Sequence, residues 1–196
     1  MMDPIASIKA DRIEARKIQD PNADTCFLAL ASAAGAASVR TLVLRDITDR
    51  AFLLFINSTS PKWHLFKDGA SYELLLWYPS QQKQYRIQGT TSMLEPEEVK
   101  SNWFRRPRGS KQLDYVYKEF APQSSEIPSR EVLVDEIARI RQVYKPDDML
   151  PPDEATGVEL TANRIEVLDL NREDRIHDRR VFTHDGNDWQ QRFLIP

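Results

Sequence analysis

Ser71-Tyr72-Glu73-Leu74-Leu75-Leu76-Trp77-Tyr78, a break at Pro79-Ser80, then Lys83-Gln84-Tyr85-Arg86-Ile87-Gln88 is the stretch that decides the fold. In the second run Tyr85 and Ile87 fall on one face. Gln84, Arg86 and Gln88 fall on the other. A period of two belongs to a strand with one buried face. The pattern predicts antiparallel strands over Ser71–Tyr78 and Lys83–Met93.

Working outward, Thr25–Ala31 and Ser38–Arg45 flank Ala33-Ala34-Gly35 as a hairpin. Ala51–Ile56 predicts a third strand, reached by a polar turn at Asp46–Arg50. Towards the end of the chain, Val158–Leu168, Arg179–Thr183 and Trp189–Leu194 read as strands. The last two flank Asp185-Gly186, a hairpin signal.

Helical signals interrupt these strands. Asp3-Pro4 supplies a cap and a first-turn proline. Ile5, Ile8 and Ile13 give a narrow stripe, so residues 1–22 read as a peripheral helix or arm. Ser60-Pro61-Lys62 opens a short helix that Gly69 stops. Pro96–Arg106 predicts a helix ended by Pro107. Ser129–Tyr144 predicts another, with Val132, Leu133, Ile137 and Ile140 inward. Pro146–Glu154 reads as a loop. The whole reads as one domain over residues 1–196, mainly β with inserted helices, in a closed or split barrel.

Composition narrows the function classes. The chain has 196 residues, 41% hydrophobic and 29% charged, as in soluble globular proteins. A formal net charge of −3 argues against a protein that coats nucleic acid. Cys26 is the only cysteine and lies in an apolar run, which fits a reducing compartment and a buried role. No apolar run reaches membrane-spanning length, and no signal peptide is visible. A cytoplasmic location is expected. His64, His177 and His184 form no zinc-like cluster with cysteine, so no metal site is expected. Walker, dinucleotide and nucleophile-elbow motifs are absent.

Three polar clusters remain. Arg40 and Arg45 bracket Thr41-Leu42-Val43-Leu44, and Lys62 begins the short helix. Together they suit a phosphate, although strand-end arginines are often solvated or salt-bridged. Trp103-Phe104-Arg105-Arg106-Pro107-Arg108-Gly109-Ser110 sets three arginines and a serine beside two aromatics. These suit a second phosphate or a nucleic-acid contact, or simply a helix end that favours cations. In Arg175-Ile176-His177-Asp178-Arg179, strand alternation puts Arg175, His177 and Arg179 on one face. Such a face repels itself unless an anion or acid lies opposite.

These clusters, in this order, resemble the pyridoxamine 5′-phosphate oxidase family, an FMN-binding split β-barrel. The resemblance spans roughly Ser38 to Pro196. It implies that Arg40, Thr41, Leu42, Val43, Leu44 and Arg45 cradle FMN along a strand. Phe55 and Ile56 stand where the family has a Tyr-Thr pair near the FMN phosphate, and Lys62 matches a basic residue there. Gln84 matches a glutamine at the flavin ring, Gln123-Ser124 a pair that reaches FMN, and Arg179 a further FMN residue. Arg45, Trp103, Arg106 and Ser110 match substrate positions, the last three around the phosphate of a vitamin B6 substrate. Arg175 and His177 match groups that close over the substrate ring and orient the reacting carbon. The ending Trp189…Arg192-Phe193-Leu194-Ile195-Pro196 is similar to the family's Trp…Arg-Leu-x-Pro.

Departures mark the chain. Arg45 replaces a lysine, Pro61 a basic residue, and Leu168 a tryptophan against the flavin. Lys111-Gln112-Leu113-Asp114-Tyr115 stands where the family reads Gln-Ile-Gly-Ala-Trp. The resemblance implies an FMN-dependent oxidase of pyridoxamine or pyridoxine 5′-phosphate, working as a homodimer in vitamin B6 metabolism. It leaves open a related flavoenzyme with another substrate, or a non-catalytic protein that binds FMN or a B6 phosphate.

Overall fold

β7, Ala155–Asp169, is the strand around which the fold is organised. Fifteen residues extend for about 50 Å, far more than one partner strand needs. One edge pairs with β6 and the other is shared. Arg164–Asp169 pairs with β8, whereas Ala162 donates its N–H to Arg50 O just before β4. The computed structural model describes residues 3–145 and 148–196. Among them the chain forms two compact units, residues 3–54, 68–92 and 159–196 in the first and 55–67, 93–145 and 148–158 in the second.

The first unit carries the sheet. Its strands are β1 (Thr25–Ala31), β2 (Ala37–Val43), β3 (Asp46–Ile47), β4 (Ala51–Asn57), β5 (Ser71–Tyr78), β6 (Lys83–Met93), β7, β8 (Asp178–His184) and β9 (Trp189–Phe193). The order is β2-β1-β5-β6-β7-β4-β3, with β8 joined to β7 and β9 to β8. The pairs β1–β2, β1–β5, β3–β4, β5–β6, β7–β8 and β8–β9 are antiparallel. The alternation predicted in β6 is present: Tyr85 and Ile87 are buried, and Gln84, Arg86 and Gln88 are half-buried on the opposite face. The β5–β6 turn closes with Gln82 at φ 54°, while Asp20 accepts the Ser80 N–H.

α1, Pro4–Lys17, departs from the expected apolar stripe. Ile5 and Ile8 are buried, but Ile13 is 53% exposed and Arg12 only 5%. The Arg12 guanidinium donates to Ala23 O, Leu44 O and Asp24 Oδ1. Two carbonyls and a carboxylate make this charge affordable to bury. Of the helix or arm expected here, the structure has the helix, fixed within the first unit by a buried cation.

The second unit is helical. It holds α2 (Pro61–Lys67), α3 (Pro96–Phe104), α4 (Arg108–Glu119) and α5 (Arg130–Val143). Its core is Trp103, Tyr115, Val116, Ile140 and Met149, with Leu133 and Ile137 packed on it. Of the inner face predicted for α5, Leu133, Ile137 and Ile140 are therefore present, while Val132 is half-buried and not part of this core. α4 was not expected, because its buried positions are Gln112, Asp114, Tyr115 and Val116, half of them polar. Of the predicted loop Pro146–Glu154, Pro146 and Asp147 lie outside the described residues.

Candidate functional site

The first unit places several of the implied cofactor residues on one sheet face. Leu168 pairs with Arg179 across β7 and β8. Leu170 donates its N–H to Gln82 O, which sets Gln84 beside Leu168 by antiparallel register. Gln84, Leu168 and Arg179 are thus neighbours on one surface, each half-buried.

A group that sequence reasoning missed holds this surface. Glu166 on β7 is 4% exposed and gathers three arginines. Arg179 approaches Oε1 at 3.0 Å through Nε and 2.8 Å through Nη2. Arg164 lies 2.9 Å from Oε2, and Arg86 3.3 Å from Oε1. Arg86 also pairs with Glu73 on β5, which accepts from Gln88 as well. Burial pushes the Glu166 carboxyl up, but Arg164, Arg179 and Arg86 outweigh that and hold it below the ordinary glutamate value. The missed signal is a glutamate two residues from both Arg164 and Leu168, which strand alternation puts on their face.

The β2 residues divide. Thr41 and Val43 are exposed, and Leu42 is half-buried. Leu44 is 1% exposed, donates its N–H to Asp24 O and accepts from Arg12. Both its side chain and its backbone are therefore engaged within the unit. Arg45 donates its N–H to Leu53 O. Arg40 gives Nη2 to Ser38 Oγ at 2.6 Å, while its Nη1 is buried with no partner among the described residues. Burial pulls the Arg40 guanidinium down from its usual value. A buried donor on a cation calls for an anion, so Arg40 fits an FMN phosphate.

The segment before β8 differs from expectation. The strand begins at Asp178, so Arg175 and His177 lie in a loop. Arg175 is exposed and adopts φ 61°, which breaks the alternation predicted for the run. His177 Nδ1 accepts the Asn171 N–H at 3.0 Å. In the neutral ring the proton therefore sits on Nε2, which is left to act as a donor.

The second unit collects the remaining candidates. Phe55 is half-buried and Ile56 is buried, so neither offers a polar group to a phosphate. Lys62 is 9% exposed and donates to Gln123 Oε1 at 3.0 Å. Gln123 is held by its own N–H on Thr59 Oγ1, and Ser124 follows at φ 73°, a left-handed conformation uncommon outside glycine. Trp103 is 1% exposed and donates its indole N–H to Met149 O, which places it in the core. The Arg106 guanidinium lies 5.1 Å from the centre of the Trp103 ring. Ser110 sits half-buried in the first turn of α4.

Arg106 already has an anion. Its Nη2 lies 2.5 Å from Oδ2 of Asp114, a side chain 2% exposed. Asn57 donates to the other oxygen at 2.9 Å. Burial pushes the Asp114 carboxyl up, against Arg106, Asn57 and Lys62, which all favour the anion.

Comparison with known proteins agrees with this architecture. The family model for pyridoxamine 5′-phosphate oxidase matches residues 14–144. A pyridoxine/pyridoxamine 5′-phosphate oxidase of Zymomonas mobilis is 32% identical over 183 residues, 93% of each chain. One from Erythrobacter litoralis is 32% identical over 99% of this chain and 91% of its own. The crystal structure of PhzG from Burkholderia lata 383, in complex with tetrahydrophenazine-1-carboxylic acid, superposes with a TM-score of 0.87 at 26% identity, covering 99% of this chain and 93% of that one. A related FMN-binding protein from Nostoc punctiforme shares the fold, with a TM-score of 0.79 at 15% identity. The mainly β split-barrel fold, the matched length and the relatives agree: this chain belongs to the pyridoxamine 5′-phosphate oxidase family of FMN-dependent oxidoreductases.

Proposed function

We propose that this chain binds FMN and oxidises pyridoxamine or pyridoxine 5′-phosphate to pyridoxal 5′-phosphate. The observation that carries the reading is the loop at Arg175 and His177. A non-glycine residue held at φ 61° costs about 1 kcal/mol or more, and such strain collects at functional positions. Beside it, the imidazole has one nitrogen fixed by the Asn171 N–H and the other facing away from that bond. Relatives of this name at 32% identity over nearly the full chain support the same substrate class.

FMN held by these residues would supply the two-electron oxidation at the substrate's C4′ carbon, with dioxygen as the final electron acceptor. The protein binds and orients. Arg40 and Lys62 offer cations to the cofactor phosphate, and Gln123 holds the lysine in place. Gln84 and Arg179 present polar groups on the sheet face, with Glu166 fixing the arginine. Arg106 and Ser110 hold the substrate at one end. Arg175 and His177 close over the ring, where the Nε2 proton of His177 hydrogen-bonds a ring substituent and fixes the reacting carbon. Arg45 is the residue that the family pattern assigns to both cofactor and substrate.

Anaerobic mixing of the FMN-loaded protein with pyridoxamine 5′-phosphate is expected to bleach the flavin band. Admission of oxygen then restores the band and releases pyridoxal 5′-phosphate. A flavin that stays oxidised with both B6 phosphates refutes this substrate class.

The same reading includes a homodimer in the cytoplasm. β2 ends the sheet and exposes Val39 (70%) and Val43 (59%). An open edge strand with apolar side chains invites pairing unless it is covered. Light scattering at micromolar concentration is expected to give twice the chain mass. A monomer that still holds FMN defeats this part of the reading.

A further inference from the structure

We propose that Asp114 is a specificity-determining residue: its carboxylate occupies the anion position on Arg106, so the site gives little premium to a substrate phosphate and also admits the unphosphorylated ring compound. The inference rests on the reading that Arg106 faces the substrate.

A guanidinium selects phosphate when its donors are unsatisfied in the free protein and gain an anion on binding. Arg106 departs from that condition at Nη2, the donor that already faces an anion. Its Nη2 is 2.5 Å from a carboxylate that is almost wholly buried. That carboxylate is no chance surface contact, because Asn57 donates to its second oxygen at 2.9 Å and fixes it from the other side. Asn57 is itself 3% exposed, and its Oδ1 accepts the Thr59 N–H, so its orientation is set. Arg106 is held in turn by the Trp103 ring, which is anchored through Met149 O. Each member of the group is therefore positioned by a partner of its own.

A phosphate dianion arriving at Arg106 meets two costs. It must share or displace the aspartate, and displacement leaves a buried carboxylate with Asn57 and the charge of Lys62 but without its ion-pair partner. If both anions stay, they repel at close range in a poorly solvated site. A substrate that carries a neutral hydroxyl at this end meets neither cost. It can donate to Asp114, which a phosphate dianion cannot. The helix register explains why the aspartate is there at all. Asp114 lies one turn after Ser110 on α4, so it shares the face that Ser110 presents. Where the family reads Gly-Ala, this chain reads Leu113-Asp114 and brings a carboxylate into that position.

The test uses the FMN-loaded protein with Asp114→Asn and Asp114→Ala. Isothermal calorimetry reads binding of inorganic phosphate and of pyridoxal 5′-phosphate. Turnover reads the ratio of kcat/KM for pyridoxine 5′-phosphate over pyridoxine. Both variants are expected to bind phosphate more tightly and to raise the ratio by about tenfold or more, the scale of one charge-assisted contact. Unchanged or weaker phosphate binding in both overturns the inference. The wild-type ratio provides a measurement that needs no variant. It is expected to stay within about tenfold of unity, and a phosphate preference beyond about a hundredfold overturns the inference. If no B6 compound reduces the flavin but the variants gain phosphate affinity, the substrate reading fails and the role of Asp114 stands. If the flavin is reduced but phosphate affinity does not respond to Asp114, the reverse holds.

Discussion

Glu166→Ala is expected to cost about 2–3 kcal/mol of stability, the scale of charge-assisted hydrogen bonds lost by arginines that remain partly solvated. The carboxylate is the common partner of Arg86, Arg164 and Arg179. Its removal leaves three cations facing each other with only Glu73, on Arg86, to offset them. Arg179 would keep a single bond, Nη1 to Ile195 O. Its guanidinium then no longer holds its place beside Gln84 and Leu168. FMN affinity should fall together with stability, whereas a purely structural defect rescued at low temperature would leave affinity normal. Urea unfolding and flavin titration at low temperature separate the two. A midpoint equal to that of wild type would sink the argument. Protonation should mimic the mutation. Glu166 is held below the ordinary value of 4.5, so its contribution is complete above that pH and is lost as pH falls through the depressed value. Wild type and Glu166→Gln should therefore converge in stability on the acid side and diverge towards neutrality.

Gly89→Ala should be more severe, for a different reason. A Cβ at this position would lie 1.9 Å from Thr161 O and 2.9 Å from Asn163 N, both backbone atoms of β7. No rotamer change relieves a clash with backbone, so β6 and β7 must separate locally. Thr161 O also accepts the Tyr72 hydroxyl, which ties the same spot to β5. The loss is expected to exceed about 4 kcal/mol and to lower Tm by about 10 °C or more for a chain of this size. Thermal unfolding checks it, with hydrogen exchange of the β6 and β7 amides as a local readout. A melting point within a few degrees of wild type would mean that the strands are not pressed together at this glycine.

Periodicity made most of the sheet legible. β1, β5 and β6 have the bounds that alternation and turn residues predict, because burial on one face imposes a period of two whatever lies beyond. α4 escaped the same logic. Its inward face is Gln112, Asp114, Tyr115 and Val116, and a polar residue gives no hydrophobic signal until its partner is known. Arg12 escaped likewise, since a buried arginine is indistinguishable from a solvated one until two carbonyls and Asp24 surround it.

The ordered motifs carried the family and hence the cofactor, because Arg40, Gln84, Arg106 and Arg175–Arg179 are local patterns written along the chain. Which charges meet is not local. Glu166 and Arg86 are 80 residues apart, and Asp114 and Asn57 are 57 apart. Their pairing depends on strand order and helix register. The sequence alone determined a mainly β, FMN-binding fold and its candidate residues, since backbone periodicity and short motifs follow from neighbouring side chains. Only the tertiary structure decided that Arg106 is already matched by a carboxylate while Arg40 Nη1 is not, because burial and partner distance are properties of the folded surroundings and not of the residue.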